Sequence, residues 1–290
     1  MKIAAFRTGD EIRVGPVDEK RGTVSAFDLP LSEAREGVMA LIERPALPDA
    51  RSPIPLAEVV LEAPLPRPKR NIFCVGKNYR DHAEEFSASG FDSSAASGVA
   101  QDYPIIFSKI PECVVAHRAV VRIDRLVSEA IDYEAELAVI IGKGGRCIKA
   151  KDALDHVWGY TIVNDVTARD LQRRHSQWLI GKSQDTFCPM GPWAVTRDEI
   201  DLGDTLIRCW INAELRQDAN TRDLIFGVPS IIEAISAGVT LMPGDVIATG
   251  TPAGVGIGFK PPKYLVSGDV ARIEISGIGA LENEFRETGP

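Results

Sequence analysis

The sequence is poor in the features that define several common protein classes. Its five cysteines, Cys74, Cys113, Cys147, Cys188 and Cys209, are odd in number and form no C-x-x-C pair. That spacing excludes a zinc ribbon and a disulfide framework, and leaves buried, reduced thiols as the reading. No apolar run reaches bilayer length, and MKIAAFRTGDEIRVG at the start carries charge too early for a signal peptide. A soluble, cytoplasmic chain away from membranes is expected. Positive charge is also short: 33 basic against 41 acidic residues give a net charge of -8. That balance opposes a phosphate-backbone binder, so no nucleic-acid partner is expected. Nucleotide motifs are missing too. In TGTPAGVGIGF, Phe259 stands where the third glycine of G-x-G-x-x-G belongs, and no G-K-[ST] occurs.

What is present is enough apolar sequence, 44% of 290 residues, to bury a core without metal or disulfides. Residues 1–65 read as a small N-terminal α/β domain, and residues 66–290 as the main domain. MKIAAF and EIRVGPVD are strand-like, and LSEAREGVMALIERP has helical spacing that stops at proline. The five-proline stretch PIPLAEVVLEAPLPRPKR reads as a linker or extended strand. Beyond it NIFCVG, IIFSKI, VVRI, WGYTIVND and LIRCWINAELRQ read as strands. TARDLQRRH starts a helix, and VPSIIEAISAGVTL reads as a helix closing on Gly238. LMPGDVIATG and LVSGDVARIEI each place a Gly-Asp turn before a strand. The class is α+β, dominated by antiparallel or mixed sheet. Residues 87–100, SASGFDSSAASGVA, read as a mobile loop that begins just after His82 and Glu85, the position of a lid.

The segment IDYEAELAVIIGKGG (131–145) combines an apolar strand with two glutamates. Period two puts Glu134 and Glu136 on one face and Tyr133, Ala135 and Leu137 on the other. Like charges this close repel, and burial makes either harder to ionise. A solvated face, one protonated glutamate, or a cation between the two would each resolve the conflict. WGYTIVND ends in Asp165, either a helix N-cap or a third oxygen ligand. Three carboxylates suit Mg²⁺ or Mn²⁺, and Ca²⁺ in a crystal; zinc would want nitrogen or sulfur. Arg169 and Gln172 share a helix face about one turn beyond Asp165, and Lys182 follows, together an anion-binding wall. His82 and Glu85 have the i, i+3 spacing that lets a carboxylate orient an imidazole. The glycine-rich turn from Thr249 brings Thr251 and backbone amides towards a ligand.

GKNYRDHAEE, DYEAELAVIIGKGG, YTIVNDVTARDLQ, GKSQDTFCPMGPW, NAELRQ and LMPGDVIATGTPAGVG together resemble the fumarylacetoacetate hydrolase superfamily, over about residues 70–285. The likeness is to its smaller, acylpyruvase- and isomerase-like bacterial branch. It implies a mixed β-sandwich roll, a homodimer, and one Mg²⁺ or Mn²⁺ on Glu134, Glu136 and Asp165. It implies a His82–Glu85 catalytic dyad with Lys182, and substrate contacts from Tyr79, Arg169, Gln172 and Thr251. The founding hydrolase has a further metal-ligating aspartate just ahead of the tyrosine matching Tyr79; here Lys77 and Asn78 occupy that stretch. The implied activity is C–C cleavage of a small 2,4-dioxo acid, acylpyruvate-type or sugar-derived, through a pyruvate enolate. Isomerisation of 2-hydroxyhepta-2,4-diene-1,7-dioate or decarboxylation of oxaloacetate on the same site is the alternative. A metal-dependent nuclease is opposed by E-x-E in place of E-x-K and by the net charge. A non-catalytic binding protein is opposed by the retained His82, Glu85 and Lys182.

Overall fold

In the strand Ala135–Ile141 every residue is buried, as suits a strand covered on both faces. The computed structural model describes residues 1–90 and 102–288. Among the described residues this strand lies inside a twelve-stranded mixed sheet. Its neighbours are Val157–Asn164 on one side and Val246–Ala248 on the other, both antiparallel to it. Beyond Val246–Ala248 come Ile72–Gly76, in parallel, and then Ile105–Lys109 at the edge. Beyond Val157–Asn164 come Cys188–Thr196 and then Lys2–Thr8.

The two faces carry different cores. Ala135, Leu137, Val139 and Ile141 pack with Ile207, Cys209, Ile273 and Phe285 of a second, five-stranded sheet. Ala138 and Ile140, pointing the other way, pack with Ile3, Phe27, Val38 and Leu41 from the first 42 residues. The result is a mixed α+β sandwich in which strand periodicity sorts alternate side chains into two cores. Residues 1–65 share the main sheet. Lys2–Thr8 pairs with Cys188–Thr196, with Ile3 opposite Ala194.

Three segments differ in detail from the sequence reading. The helix over LSEAREGVMALIERP is two short helices, Leu31–Ala34 and Met39–Ile42. Gly37 separates them at φ 62, and a side chain there would sit 2.2 Å from the Pro64 carbonyl oxygen. Within the proline-rich stretch, Val60–Glu62 is a strand on Lys2–Thr8. The loop expected over 87–100 starts late, because the helix Arg80–Ala88 runs through its first two residues; residues 91–101 lie outside the described residues. Four of the five cysteines are buried and Cys147 is exposed; all five are free thiols.

Gly159 lets the central strands approach, since a Cβ on it would stand 2.0 Å from the Val195 carbonyl oxygen. Gly159→Ala should therefore cost about 2 kcal/mol or more through overpacking. That corresponds to a melting temperature lower by roughly 5 °C or more in calorimetry. Gly238→Ala, with nothing within 4 Å of the added carbon, should leave it nearly unchanged.

Candidate metal centre

Strand register assembles the acids. Ala135 stands opposite Asn164, the Asn164 side chain accepts from the Glu134 N–H (3.0 Å), and the Asp165 N–H donates to the Glu134 carbonyl (2.9 Å). This brings one carboxylate oxygen each from Glu134, Glu136 and Asp165 within 4.8 Å of one another. Glu134 is 4% exposed, Glu136 1% and Asp165 0%. The solvated face left open by the sequence is thus excluded, and the conflict between burial and like charge is real.

Buried cations answer part of that conflict. Lys182 Nζ donates to Glu134 Oε2 (2.8 Å) and Asp165 Oδ2 (2.7 Å). Lys109 Nζ donates to Asp165 Oδ1 (2.7 Å) and to the carbonyls of Val166 and Lys182. Arg169 donates from Nη1 to Glu134 Oε1 (2.7 Å) and from Nε to Asp132 Oδ2 (2.8 Å). Burial opposes ionisation of Glu134, but Lys182 and Arg169 outweigh it and hold its pKa at about 2. Glu136 is helped by Lys182 only through space, and not enough. Burial first, then Asp165 and Glu134, push its pKa well above the usual carboxylate value, against the Gly250 N–H that donates to it (2.8 Å). Three crowded oxygen donors, one of them resisting ionisation, fit a small hard divalent cation, which would supply the missing positive charge.

The glycine-rich turn directs four of its amides onto the protein's own carboxylates. Gly250 N–H holds Glu136, Gly254 N–H holds Glu85 (3.1 Å), and Gly256 and Ile257 N–H hold Asp132 (2.6 and 3.0 Å). Positive φ at Gly250 and Gly254 (103 and 98) turns successive amides inward. Gly258 leaves room for Glu85, whose carboxylate oxygen would lie 1.8 Å from an added Cβ. Glu85 Oε2 in turn meets His82 Nδ1 at 3.3 Å. With Nδ1 donating to Glu85, Nε2 carries the lone pair.

His82, Glu134, Arg169, Gln172, Lys182 and Thr251 line one cavity together with Phe86, Phe107 and Trp178. Arg169 Nη2 is buried there without a hydrogen-bond partner. Gln172 Oε1 accepts from Arg169 Nη1 (3.2 Å), and Thr251 Oγ1 accepts from Gln217 Nε2 (2.8 Å). Tyr79 lines a neighbouring cleft with Arg80, Asp223 and Pro252. Its phenol is buried without a partner, and burial, then Glu136 and Asp223, raise its pKa.

A family profile described as fumarylacetoacetate (FAA) hydrolase C-terminal matches residues 71–286. The chain belongs to the fumarylacetoacetate hydrolase family. Within that family it is 50% identical over 231 residues to a protein of Bacillus subtilis (strain 168) named oxaloacetate tautomerase YisK. The match spans 79% of this chain and 74% of that one. It is 39% identical, with a TM-score of 0.85, to the solved fumarylacetoacetate hydrolase from psychrophilic Exiguobacterium antarcticum, over 99% of this chain and all of that one. It is 31% identical, with a TM-score of 0.76 and full coverage of both chains, to maleylpyruvate hydrolase from Sphingobium sp. SYK-6 in complex with manganese(II) ion and pyruvate. The mixed α+β fold of this family is the one described above.

Sequence reasoning passed over Asp132, Lys109 and Trp178. Asp132 extends the acid series backwards at the same spacing of two. Lys109 is a charge closing an otherwise apolar strand, and is 0% exposed. Trp178 packs where Gly76 has no side chain; a Cβ there would lie 2.6 Å from the indole.

Because the Glu136 pKa is raised in the fold, a proton competes with the cation. Metal affinity should rise with pH through the mildly acidic range, and metal uptake there should release a proton, read as a buffer-dependent enthalpy in calorimetry. For the metal-free protein the sign is opposite: ionising Glu136 removes stability as pH rises, so the gain in melting temperature on adding Mn²⁺ should widen with pH. Gly258→Ala should displace Glu85 and cut turnover at least about tenfold while Mn²⁺ affinity is kept.

Proposed function

We propose that this enzyme interconverts the enol and keto forms of oxaloacetate at the buried metal centre. The observation that carries the reading is an imidazole–carboxylate pair, His82 and Glu85, whose imidazole lines the same cavity as Arg169, Gln172 and Lys182. The identity with the Bacillus subtilis oxaloacetate tautomerase supports it.

When bound at Glu134, Glu136 and Asp165, the cation supplies Lewis-acid polarisation of the 2-oxo oxygen and a charge for the adjacent carboxylate. The chain's own groups do the rest. Arg169 Nη2, buried and unpartnered, donates to that carboxylate. Gln172 keeps its amide nitrogen for the same end of the substrate, since its oxygen already accepts from Arg169. Thr251, held by Gln217, keeps its hydroxyl hydrogen for a substrate oxygen. His82 Nε2 takes a proton from C3 in the keto-to-enol direction and returns it in reverse. Glu85 stabilises the imidazolium in between. Lys182 lies beside the oxygen that gains negative charge and carries the proton exchanged there. Tyr79, kept protonated by its surroundings, is a hydrogen-bond donor on the Glu136 side.

A second reading is hydrolytic C–C cleavage of an acylpyruvate. The same His82 could deprotonate water, and the manganese-bound maleylpyruvate hydrolase relative supports it. Decarboxylation of oxaloacetate would use the same enolate.

The test follows enol-oxaloacetate by its ultraviolet absorbance with Mg²⁺ or Mn²⁺, with chelator, and beside an acylpyruvate panel. The metal-loaded enzyme should accelerate ketonisation and the chelator should abolish it. His82→Ala should lower kcat by about 100-fold or more while Mn²⁺ affinity is kept. Slow ketonisation together with fast release of pyruvate from acylpyruvates would reverse the order of the two readings.

A further inference from the structure

Asp132 is a carboxylate whose acceptor capacity is filled. It is fully buried. Its Oδ1 accepts from the N–H groups of Gly256 (2.6 Å) and Tyr133 (2.9 Å). Its Oδ2 accepts from the Ile257 N–H (3.0 Å) and from Arg169 Nε (2.8 Å). Two carboxylate oxygens offer about four lone-pair sites, so these four donors leave none over. The backbone sets the pairing with Arg169. The short strand Ile131–Asp132 runs antiparallel to Thr167–Ala168, with Ile131 opposite Ala168. The Arg169 N–H then donates to the Ala130 carbonyl (2.9 Å).

This saturation has a consequence for the guanidinium. A carboxylate beside an arginine usually takes two parallel N–H bonds from its planar fork. Asp132 takes only Nε, because its remaining sites already hold backbone amides. Arg169 Nη1 is used by Glu134 Oε1 (2.7 Å) and Gln172 Oε1 (3.2 Å). Contacts at Nε and Nη1 together fix the plane of the fork, and with it the direction of Nη2. Nη2 is buried and has no hydrogen-bond partner among the described residues. The side chain that carries it lines the cavity with His82, Gln172 and Lys182. Glu134 is the other carboxylate within ion-pair distance, and without Asp132 the fork would be free to turn both Nη groups onto it.

An amide could not stand in for this carboxylate. Asparagine would keep the shape but present an NH₂ group in place of one oxygen. Whichever way it turned, that group would face two N–H donors that now have an acceptor. We infer that Asp132 is a positioning residue for substrate binding: it orients the Arg169 guanidinium so that Nη2 is offered to the carboxylate of the 2-oxo acid. The assignment rests on the 2-oxo acid site proposed above.

The experiment compares wild type, Asp132→Asn, Arg169→Lys and the double variant at saturating Mn²⁺. Pyruvate, the 2-oxo acid head alone, is titrated calorimetrically, and ketonisation of enol-oxaloacetate is followed in parallel. Asp132→Asn should weaken pyruvate binding at least about tenfold, the loss of one charge-assisted hydrogen bond. KM should rise by a similar factor while kcat falls less than about threefold, because His82 and Glu85 are untouched. Arg169→Lys lacks Nη2, so adding Asp132→Asn to it should lower kcat/KM by less than about threefold more. Asp132→Ala, which leaves room for water on the freed amides, should repeat the KM effect. Unchanged pyruvate affinity in either Asp132 variant overturns the assignment and leaves the site reading intact. So does a fall in kcat alone, or full additivity with Arg169→Lys. If neither Asp132 variant folds, Asp132 serves folding and the assignment falls. Absence of pyruvate binding to wild type would instead overturn the 2-oxo acid site itself, and the Asp132 assignment with it.

Discussion

The hydrogen bonds from Lys182 to Glu134 and Asp165, and from Lys109 to Asp165, are what allow three acids to share one buried volume. Without them the desolvation of each carboxylate and the repulsion among them would add, and the strands carrying them would not pair in this register. The compensation is uneven. Glu134 meets Arg169 and Lys182, and Asp165 meets Lys109 and Lys182, whereas Glu136 has a backbone amide, two acidic neighbours and Lys182 only through space. The centre is therefore stable enough to fold and short of positive charge at one ligand. That residual deficit is a thermodynamic drive for a divalent cation.

The turn after Val246–Ala248 organises the remainder. Its amides hold Glu136 at the metal side, Glu85 behind His82, and Asp132 behind Arg169. A glycine-rich loop of this kind usually suggests phosphate binding, and here the anions it gathers belong to the protein. One short segment thus sets the relative positions of the acids, the base and the guanidinium. Its glycines serve close approach as much as flexibility, since side chains at Gly254, Gly256 and Gly258 would meet neighbouring atoms at 1.8 to 2.5 Å.

Much of this was legible in the sequence, and what was not has a physical reason. The alternation around Glu134 and Glu136 revealed a strand with acids on one face, because side-chain period is a local property. Whether that face met water depended on which strand lay beside it, and the pairing of Ala135 with Asn164 is not local. Asp132 was harder still: besides Arg169, it is held by amides more than 120 residues further on, and nothing near it marks them. The break of one expected helix into two was hidden for the same reason, since it is the Pro64 carbonyl that requires Gly37.

The pairing of Lys2–Thr8 with Cys188–Thr196 has a consequence for biosynthesis. The strand Lys2–Thr8 is made more than 180 residues before its sheet partner. At ordinary translation rates of about 5–20 residues per second, that strand waits roughly 10–40 s for its neighbour. During that interval Ile3, Ala4, Ala5 and Phe6, all fully buried in the finished protein, lack most of their final cover. The hairpin with Glu11–Asp18 and the strand Val60–Glu62 can protect the backbone edges of Lys2–Thr8 meanwhile. The amino-terminal unit would in that way act as a provisional cap, keeping a sticky strand from other nascent chains until the central sheet arrives.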